Sequence, residues 1–525
     1  MKITLAQCNP TIADFEGNLE EIKKAINHAK KDKSDLIIFP ELFSTGYPPQ
    51  DLLFDHHFLN LHKKFITQLF QLSQSCKNIA LLIGYVEETN SQLFNSALFL
   101  FEGKQLFNKR KTLLPNNDIF DEKRYFSENT QHETFSFKNE TLGITICEDL
   151  WTTEDHLSPI PHLIKKNASI LINISASPFE EKKVEKRLQK AKRITKKYKL
   201  PLVCVNQVGT NDAIIFDGHS FYMNQDQECH TLLPGFQSAI KTINLKTKPT
   251  QLPCLHFSAM DNLEAALTLG IQDYFKKTGF SKAVIGISGG IDSALTYVLC
   301  CLALTKEAII PCMLPSPYTS KESIEDAEKL VGKNLHSLSI TPLYEQFKET
   351  LNETINQTKI TLTQENIQAR IRGTLLMALA NENNALVVST GNKSELCLGY
   401  TTLYGDLCGA LSPIGDLSKT QVYALATQLN KKYPNCIPNR ILNKAPSAEL
   451  RPNQKDQDSL PSYNEIDKQL EDLVETRQTD RTSDPFLIVK TQQSEYKRQQ
   501  APLILRVSSK AFGSGRRIPI AKKTY

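Results

Sequence analysis

Several features that would place this chain in a familiar class are missing. Its 12 cysteines include no Cys-x-x-Cys pair, which removes the usual zinc and dithiol redox motifs. The adjacent Cys300-Cys301 falls inside a helical pattern, and the cysteines read as reduced and mostly structural. No apolar stretch reaches the length of a membrane span, and Met1-Lys-Ile-Thr-Leu-Ala-Gln-Cys8 is strand-like, with no leader-type apolar core behind it. No membrane is therefore expected, and cytoplasm is the expected location. The net charge of +5 arises from 62 basic and 57 acidic residues. That excess is too small to announce nucleic acid, and acidic small substrates fit it equally well. The P-loop spacing GxxxxGK[ST] is also absent. What remains is 525 residues of ordinary composition, 40% hydrophobic, enough for roughly two to four domains.

The chain is organised around residues 283 to 304. Val284, Ile285 and Ile287 make a short apolar strand, Ser288, Gly289 and Gly290 break it, and Ile291, Leu295, Val298, Leu299 and Leu302 recur at helical spacing. A glycine turn that opens a helix presents unpaired amides and the positive end of the helix dipole, and so suits a phosphate. Ser288 and Ser293 add hydroxyls. Asp292 would repel a phosphate unless a cation lay between them, which suggests Mg2+. Ser288-Gly-Gly-Ile-Asp-Ser293 resembles the pyrophosphate loop of the N-type ATP pyrophosphatases.

Upstream, the strand-like runs 3–7, 36–39, 80–84, 97–101, 142–146, 170–174 and 202–206 alternate with helical patterns over 18–31, 51–74 and 180–199. The class is α/β. Glu41, Lys111 and Cys147 lie at or beside the ends of short apolar runs. A thiol beside a lysine is expected to shift toward thiolate, a nearby carboxylate can take and return its proton, and the lysine can hold the oxyanion formed when sulfur adds to an amide. The basic helical pattern over 180–199 reads as a solvated face.

Phe39-Pro-Glu41, Lys111-x-x-Leu-Pro115, Phe120-Asp-Glu122 and Ile146-Cys-Glu-Asp-Leu-Trp151 together resemble the nitrilase (carbon-nitrogen hydrolase) family. That resemblance implies a four-layer α-β-β-α sandwich, with Glu41 as general base, Lys111 as its electrostatic partner, Cys147 as nucleophile and Glu122 as a second carboxylate steadying the lysine. Asn173-Ile-Ser-Ala-Ser-Pro-Phe179 with Lys183 is similar to the substrate segment of the glutamine-using branch. The implied glutamine site is Asn117, Glu148, Ser177 and Lys183, with Asn117 standing where that branch usually has Tyr.

Residues 247–260 carry two prolines and no periodicity, which predicts a linker between a domain at 1–246 and a second at 261–525. In the second, a doubly wound parallel sheet is expected. Its blocks Ser288–Ser293, Asn366-Ile-Gln-Ala-Arg370, Ser389-Thr-Gly-Asn-Lys-Ser-Glu395 and Lys444-Ala-Pro-Ser-Ala-Glu-Leu-Arg-Pro452 are similar to the NAD synthetase family. The resemblance implies ATP at Gly286, Ile287, Ser288, Gly289, Gly290, Ile291, Asp292, Ser293, Thr390 and Lys419. It likewise implies deamido-NAD at Asn366, Glu395 and Lys510, and Mg2+ at Asp292 and Glu395. Glutamine hydrolysis would then feed ammonia, through a shielded passage, to an adenylated deamido-NAD, and the chain would form at least a homodimer without nucleic acid. Two rivals are an amidotransferase acting on another acceptor and a nucleic-acid-binding protein built on a retired enzyme. The polar stretch 451–484 is expected to be a mobile loop that orders over the substrates, with plain disorder equally compatible with its composition, and the tail from 496 to 517 resembles the family's closing segment, although composition alone would make it a basic nucleic-acid tail or disorder.

Overall fold

The computed structural model of the chain describes all residues except 152–157, 352–353, 355–360, 477–483, 511, 516 and 524–525, and the side chain of residue 514. Its contacts divide it into two units, Met1–Phe257 and Ser258–Tyr525.

The first unit holds two six-stranded sheets. In one, the spatial order is Ala239–Asn244, Lys2–Gln7, Leu36–Ile38, Ala80–Thr89, Gln92–Phe101 and Lys104–Arg110; in the other it is Cys229–Leu232, Phe221–Met223, Leu202–Asn206, Ile170–Ser175, Glu140–Ile146 and Phe135–Phe137. The side-chain alternation of strands sorts these residues by layer. Ile3, Leu5, Leu36, Ile38 and Leu82 from one sheet pack against Ile144, Ile146, Ile172, Val203 and Val205 from the other. The opposite phase of the first sheet, Ala6, Ile37, Leu81 and Ile83, packs on helices Phe15–Asp32 and His56–Ser75. Leu171, Leu202 and Cys204 of the second sheet meet helices Ile160–Lys165 and Lys183–Tyr198. Four layers result, in the order α-β-β-α. Because both faces of each sheet are covered, the strands read as continuous apolar runs rather than alternating ones.

In the second unit the six strands pair in parallel throughout: His336–Ser337, Ile309–Met313, Ala283–Gly286, Leu386–Val388, Leu411–Ser412 and Leu503–Ile504 in spatial order. The chain builds outward from Ala283–Gly286 in one direction and then returns to build in the other. The switch point therefore lies between that strand and Leu386–Val388, where open parallel sheets form their ligand crevice. Helix Leu362–Glu382 packs there through Leu376, Leu379 and Ala380 against Val284 and Val387.

Local chemistry shifts several expected boundaries. The helical pattern over 51–74 resolves into a 3-10 turn Gln50–Phe54 and a helix His56–Ser75, because Asp55 caps the helix by accepting from His57 N at 2.8 Å. The basic helix begins at Lys183 rather than Glu180, since Lys182 takes a left-handed φ of 63°. The largest correction is residues 451–484. Within them Ser462 caps a helix Tyr463–Leu470 that continues as a π-helical turn Glu471–Thr476. Tyr463, Ile466, Leu470, Leu473 and Val474 are buried with Leu396, Cys397 and Leu398. Sparse apolar residues spaced three and four apart made one complete packing face, which average composition concealed. Residues 477–483 lie outside the described residues.

Candidate active sites

In the first unit, Glu41 follows strand Leu36–Ile38, Lys111 follows strand Lys104–Arg110, and Cys147 follows strand Glu140–Ile146. All three are buried. Lys111 Nζ donates to Glu41 Oε1 at 2.6 Å and to both carboxylate oxygens of Glu122 at 2.7 and 2.8 Å. Glu41 is held on its other side as well: Asn95 Nδ2 donates to Oε1 at 2.8 Å, and the Ala176 amide donates to Oε2 at 2.9 Å. Tyr47 OH donates to Glu122 Oε1 at 2.8 Å. Tyr47 and Asn95 are members of this cluster that sequence reasoning missed.

The electrostatics follow from burial around one cation and two anions. Burial alone would depress the Lys111 ammonium, but Glu122 and Glu41 outweigh it and hold its pKa well above the lysine range. Burial pushes the Glu122 carboxyl up to about 7 against the pull of Lys111. The Cys147 thiol is also pushed up, first by burial and then by Glu41, with Lys111 opposing. This reverses the expectation of a lysine-stabilised thiolate, because burial, the larger effect, and the Glu41 charge together outweigh Lys111. Cys147 itself takes a φ of 43°, a strained left-handed conformation for a residue with a side chain.

The residues expected to hold glutamine are not all equally engaged. Glu148, half-buried, lies within the field of Lys111 and Lys183, which moderate the upward push of burial on its carboxyl. Lys183 Nζ stands 4.6 Å from the centre of the Trp151 ring and 3.6 Å from Glu180 Oε1. Ser177 donates its amide to Asn206 Oδ1 at 2.9 Å, while its buried hydroxyl has no partner among the described residues. Asn117 is exposed and accepts at its carbonyl from the Phe120 amide.

In the second unit, the switch point opens into a cavity of about 410 Å³. The phosphate-type loop forms one wall. Ser288 and Ser293 bond each other through their hydroxyls at 3.1 Å, and Ser293 Oγ donates to the Gly290 carbonyl at 3.0 Å. Gly290 is the helix N-cap and brings no capping side chain, so first-turn amides are left for an anion. Gly289 has a φ of +81°, and a Cβ there would come within 2.3 Å of the Ser323 carbonyl. It shapes the loop, as does Ser293; neither lines the cavity, whereas Gly286, Ile287, Ser288, Gly290, Ile291 and Asp292 do. Thr390, Asn366, Glu395 and Lys419 line it too. Asn366 Oδ1 accepts from Thr402 Oγ1 at 2.8 Å. Lys510 does not line the cavity. It closes a segment held by Asp416, which accepts from the amides of Val507 and Ser508 at 2.8 Å each.

Here too a buried lysine joins two carboxylates: Lys419 Nζ donates to Asp292 Oδ2 at 2.6 Å and to Glu395 Oε1 at 3.0 Å. Asn392 Nδ2 donates to the other oxygen of Asp292 at 2.8 Å. Burial works against the Lys419 ammonium, yet the two carboxylates keep its pKa above the lysine range, while burial raises Glu395 to about 7. The Tyr463 ring centre lies 5.1 Å from Lys419 Nζ, and Tyr463 OH donates to Asp456 at 2.8 Å. Both residues belong to the stretch expected to be mobile. Among the described residues, no group of three or more His, Cys, Asp and Glu is arranged to hold a metal unaided. Asp292 and Glu395 do converge on one cation, which fits Mg2+ bound by two carboxylates with phosphates and water completing its shell.

The family model for carbon-nitrogen hydrolases matches residues 2–242, and that for NAD synthases matches residues 263–501. A glutamine-dependent NAD(+) synthetase of Synechocystis sp. is 39% identical over 99% of this chain and 98% of its own. The solved glutamine-dependent NAD+ synthetase of Acinetobacter baumannii, in complex with adenosine diphosphate, is 34% identical, with a TM-score of 0.80 over 99% of this chain and 98% of that one. That of Cytophaga hutchinsonii shares the fold, with a TM-score of 0.84 at 19% identity over 100% of this chain and 98% of its own.

Proposed function

The chain belongs to the glutamine-dependent NAD(+) synthetases, and from that footing we propose that its first unit splits glutamine and its second uses ATP and the ammonia released to convert deamido-NAD into NAD. The domain boundary is assigned to residues 247–260. Supporting the reading, one chain carries both a Glu41–Lys111–Cys147 centre and, in its other unit, a cavity lined by a helix N-terminus and a carboxylate-bound lysine.

In the first centre, the protonated thiol of Cys147 gives its proton to Glu41 as sulfur adds to the carboxamide carbon of glutamine. Lys111 stabilises the oxyanion, and the nitrogen leaves as ammonia once Glu41 returns that proton. Glu41 then takes a proton from water, which attacks the thioester and releases glutamate and the thiol. Glu122, with Tyr47 and Asn95, keeps Lys111 and Glu41 in place. The orphaned Ser177 hydroxyl, Lys183 and Glu148 are assigned to the amino-acid end of glutamine, with Asn117 at the rim of that pocket.

In the second centre, an oxygen of the nicotinate carboxylate attacks the α-phosphorus of ATP, the bond to pyrophosphate breaks, and ammonia then displaces AMP from the acyl-adenylate. The loop from Gly286 to Ser293, with Thr390 and Lys419, is assigned to ATP, where Lys419 offsets the charge of the departing pyrophosphate. Asn366, Glu395 and Lys510 are assigned to deamido-NAD. Mg2+, held by Asp292 and Glu395, would supply charge neutralisation at the phosphates.

The test is Cys147→Ser. A hydroxyl is a poor nucleophile toward an amide without a stronger base, while the volume change is small. Glutamine hydrolysis and glutamine-driven NAD formation should fall below detection, and ammonium-driven formation should stay near the parent rate, rising with pH as NH3 increases. Persistent use of glutamine would remove Cys147 from its role. Loss of the ammonium reaction in a folded protein would show that the two centres are not separable.

A further inference from the structure

We propose that the Asp149 carboxylate is a positioning residue of the glutamine-splitting centre, which ties the loop after Lys111 to the turn carrying Cys147 and so sets the approach of ammonium to thiol. This rests on the roles given above to Lys111 and Cys147.

Asp149 is fully buried, and its two oxygens collect three backbone donors. Oδ1 accepts from Thr112 N at 3.1 Å and from Leu113 N at 2.9 Å, while Oδ2 accepts from Ile146 N at 3.1 Å. Thr112 and Leu113 are the two residues after Lys111, and Ile146 immediately precedes Cys147. One side chain thus grips the backbone on either side of the reacting pair. Thr112 and Leu113 belong to no strand or helix, so the carboxylate does for them what a sheet ladder does elsewhere. The Lys111 amide is fixed separately, by donation to the Asn95 carbonyl at 2.8 Å. On the other side, the φ of 43° at Cys147 is a strained conformation that persists only where its surroundings over-determine it. The bond from Ile146 N is one such determinant.

A carboxylate suits this post better than an amide. Both oxygens must accept, and an asparagine offers one accepting oxygen and one donating nitrogen. In Asp149→Asn the new NH2 therefore faces either the Ile146 amide or the Thr112–Leu113 pair, and at least one anchor is lost at almost unchanged volume. Burial pushes the Asp149 carboxyl up, whereas Lys109 and the Ile146 and Leu113 amides favour its charged form, consistent with a carboxylate valued for its acceptors.

Asp149→Asn should lower kcat for glutamine hydrolysis about 100-fold, the scale of a small misplacement at a reacting centre. Alkylation of Cys147 by iodoacetamide should slow about tenfold for the same reason. KM for glutamine should change less than about threefold, because the substrate contacts at Ser177 and Lys183 are untouched. Ammonium-driven NAD formation should be preserved. Parent-like alkylation and turnover, or a rise in KM alone, would overturn the proposal. If the variant does not fold, hydrogen exchange on the unaltered protein decides: slow exchange in the peptide spanning Thr112 and Leu113 supports the anchor, and exchange at the rate of free chain overturns it. An active Cys147→Ser would defeat the underlying assignment, whereas an inactive Cys147→Ser beside a normal Asp149→Asn would defeat only this inference.

Discussion

The two units solve a related electrostatic problem with the same three groups and opposite access to solvent. Each buries a lysine between two carboxylates, Lys111 between Glu41 and Glu122 and Lys419 between Asp292 and Glu395. The lysine side chains are equally hidden, at 1% and 2% exposed, but the carboxylates differ: 0% and 5% in the first unit, 18% each in the second. In the first unit, Asn95, Tyr47 and the Ala176 amide take up lone pairs left over by the lysine. In the second, Asp292 and Glu395 face a cavity large enough for nucleotides. A closed triad suits a reaction in which the protein's own groups exchange one proton with a small amide. An open triad suits one in which phosphates and a metal ion enter and rearrange its bonds.

The largest expected effect would break the comparison outright. Asp292→Asn should reduce NAD formation from both glutamine and ammonium to background, because a neutral amide would weaken both the proposed Mg2+ site and the hold on Lys419. Product formation from the two nitrogen sources measures it, and near-normal ammonium-driven synthesis would remove Asp292 from the second centre. Next in size is the contrast between Lys111→Met and Lys419→Met. Removing the lysine of the closed triad leaves two carboxylates unpaired away from water and should cost about 3–5 kcal/mol. The same change in the open triad should cost about 1–3 kcal/mol, since its carboxylates reach solvent. Calorimetric unfolding of both variants tests the difference, and equal costs would mean that solvent access does not separate the triads.

The smallest effect concerns pH. Glu122 is raised from its usual 4.5 to about 7, so between these values the folded chain holds a proton that the unfolded chain has released. Stability from this group is therefore present below about pH 4.5 and lost as pH rises through about 7, a change on the order of 3 kcal/mol. Glu122→Gln should flatten that slope in the first unit and leave the matching slope from Glu395 in the second. The single tryptophan, Trp151, lies in the first unit, and its fluorescence during unfolding from pH 5 to 8 isolates the contribution. An unchanged slope would show that Glu122 does not titrate there.

Glu41, Cys147 and the loop from Ser288 to Asp292 were legible because each interrupts or ends an apolar run with a residue that strand packing does not need, whereas Lys111 lies in the polar stretch 108–112 and was legible only from the Leu113-Leu-Pro115 that follows it. Asn95 was less visible, although Asn95-Ser96 between Phe94 and Ala97-Leu-Phe-Leu-Phe101 is a polar pair inside a buried strand, and a buried amide requires partners. Tyr47 gave no such signal, since an aromatic beside Pro48 and Pro49 reads as an ordinary turn residue. The charge state of Cys147 was out of reach for a different reason. Spacing can place a lysine near a thiol, but the net shift of the thiol depends on how deeply it is buried and on which carboxylates lie beside it. The segment from Arg451 to Thr476 was misjudged because its apolar residues are few, although their spacing matches a helical face.

The packing of that segment has a consequence for the order in which the protein becomes competent during synthesis. The phosphate loop, Asp292, Glu395 and Lys419 have all been made by residue 419. Yet Tyr463, beside Lys419, and the buried face formed by Ile466, Leu470 and Leu473 against Leu396, Cys397 and Leu398 of helix Lys393–Leu398 come later. The edge strand Leu503–Ile504 comes later still. A nascent chain therefore carries the charged groups of its second centre for roughly fifty residues before it has the apolar surface that packs beside them. Until then the triad is an exposed set of side chains in water, and the site exists only as a sequence.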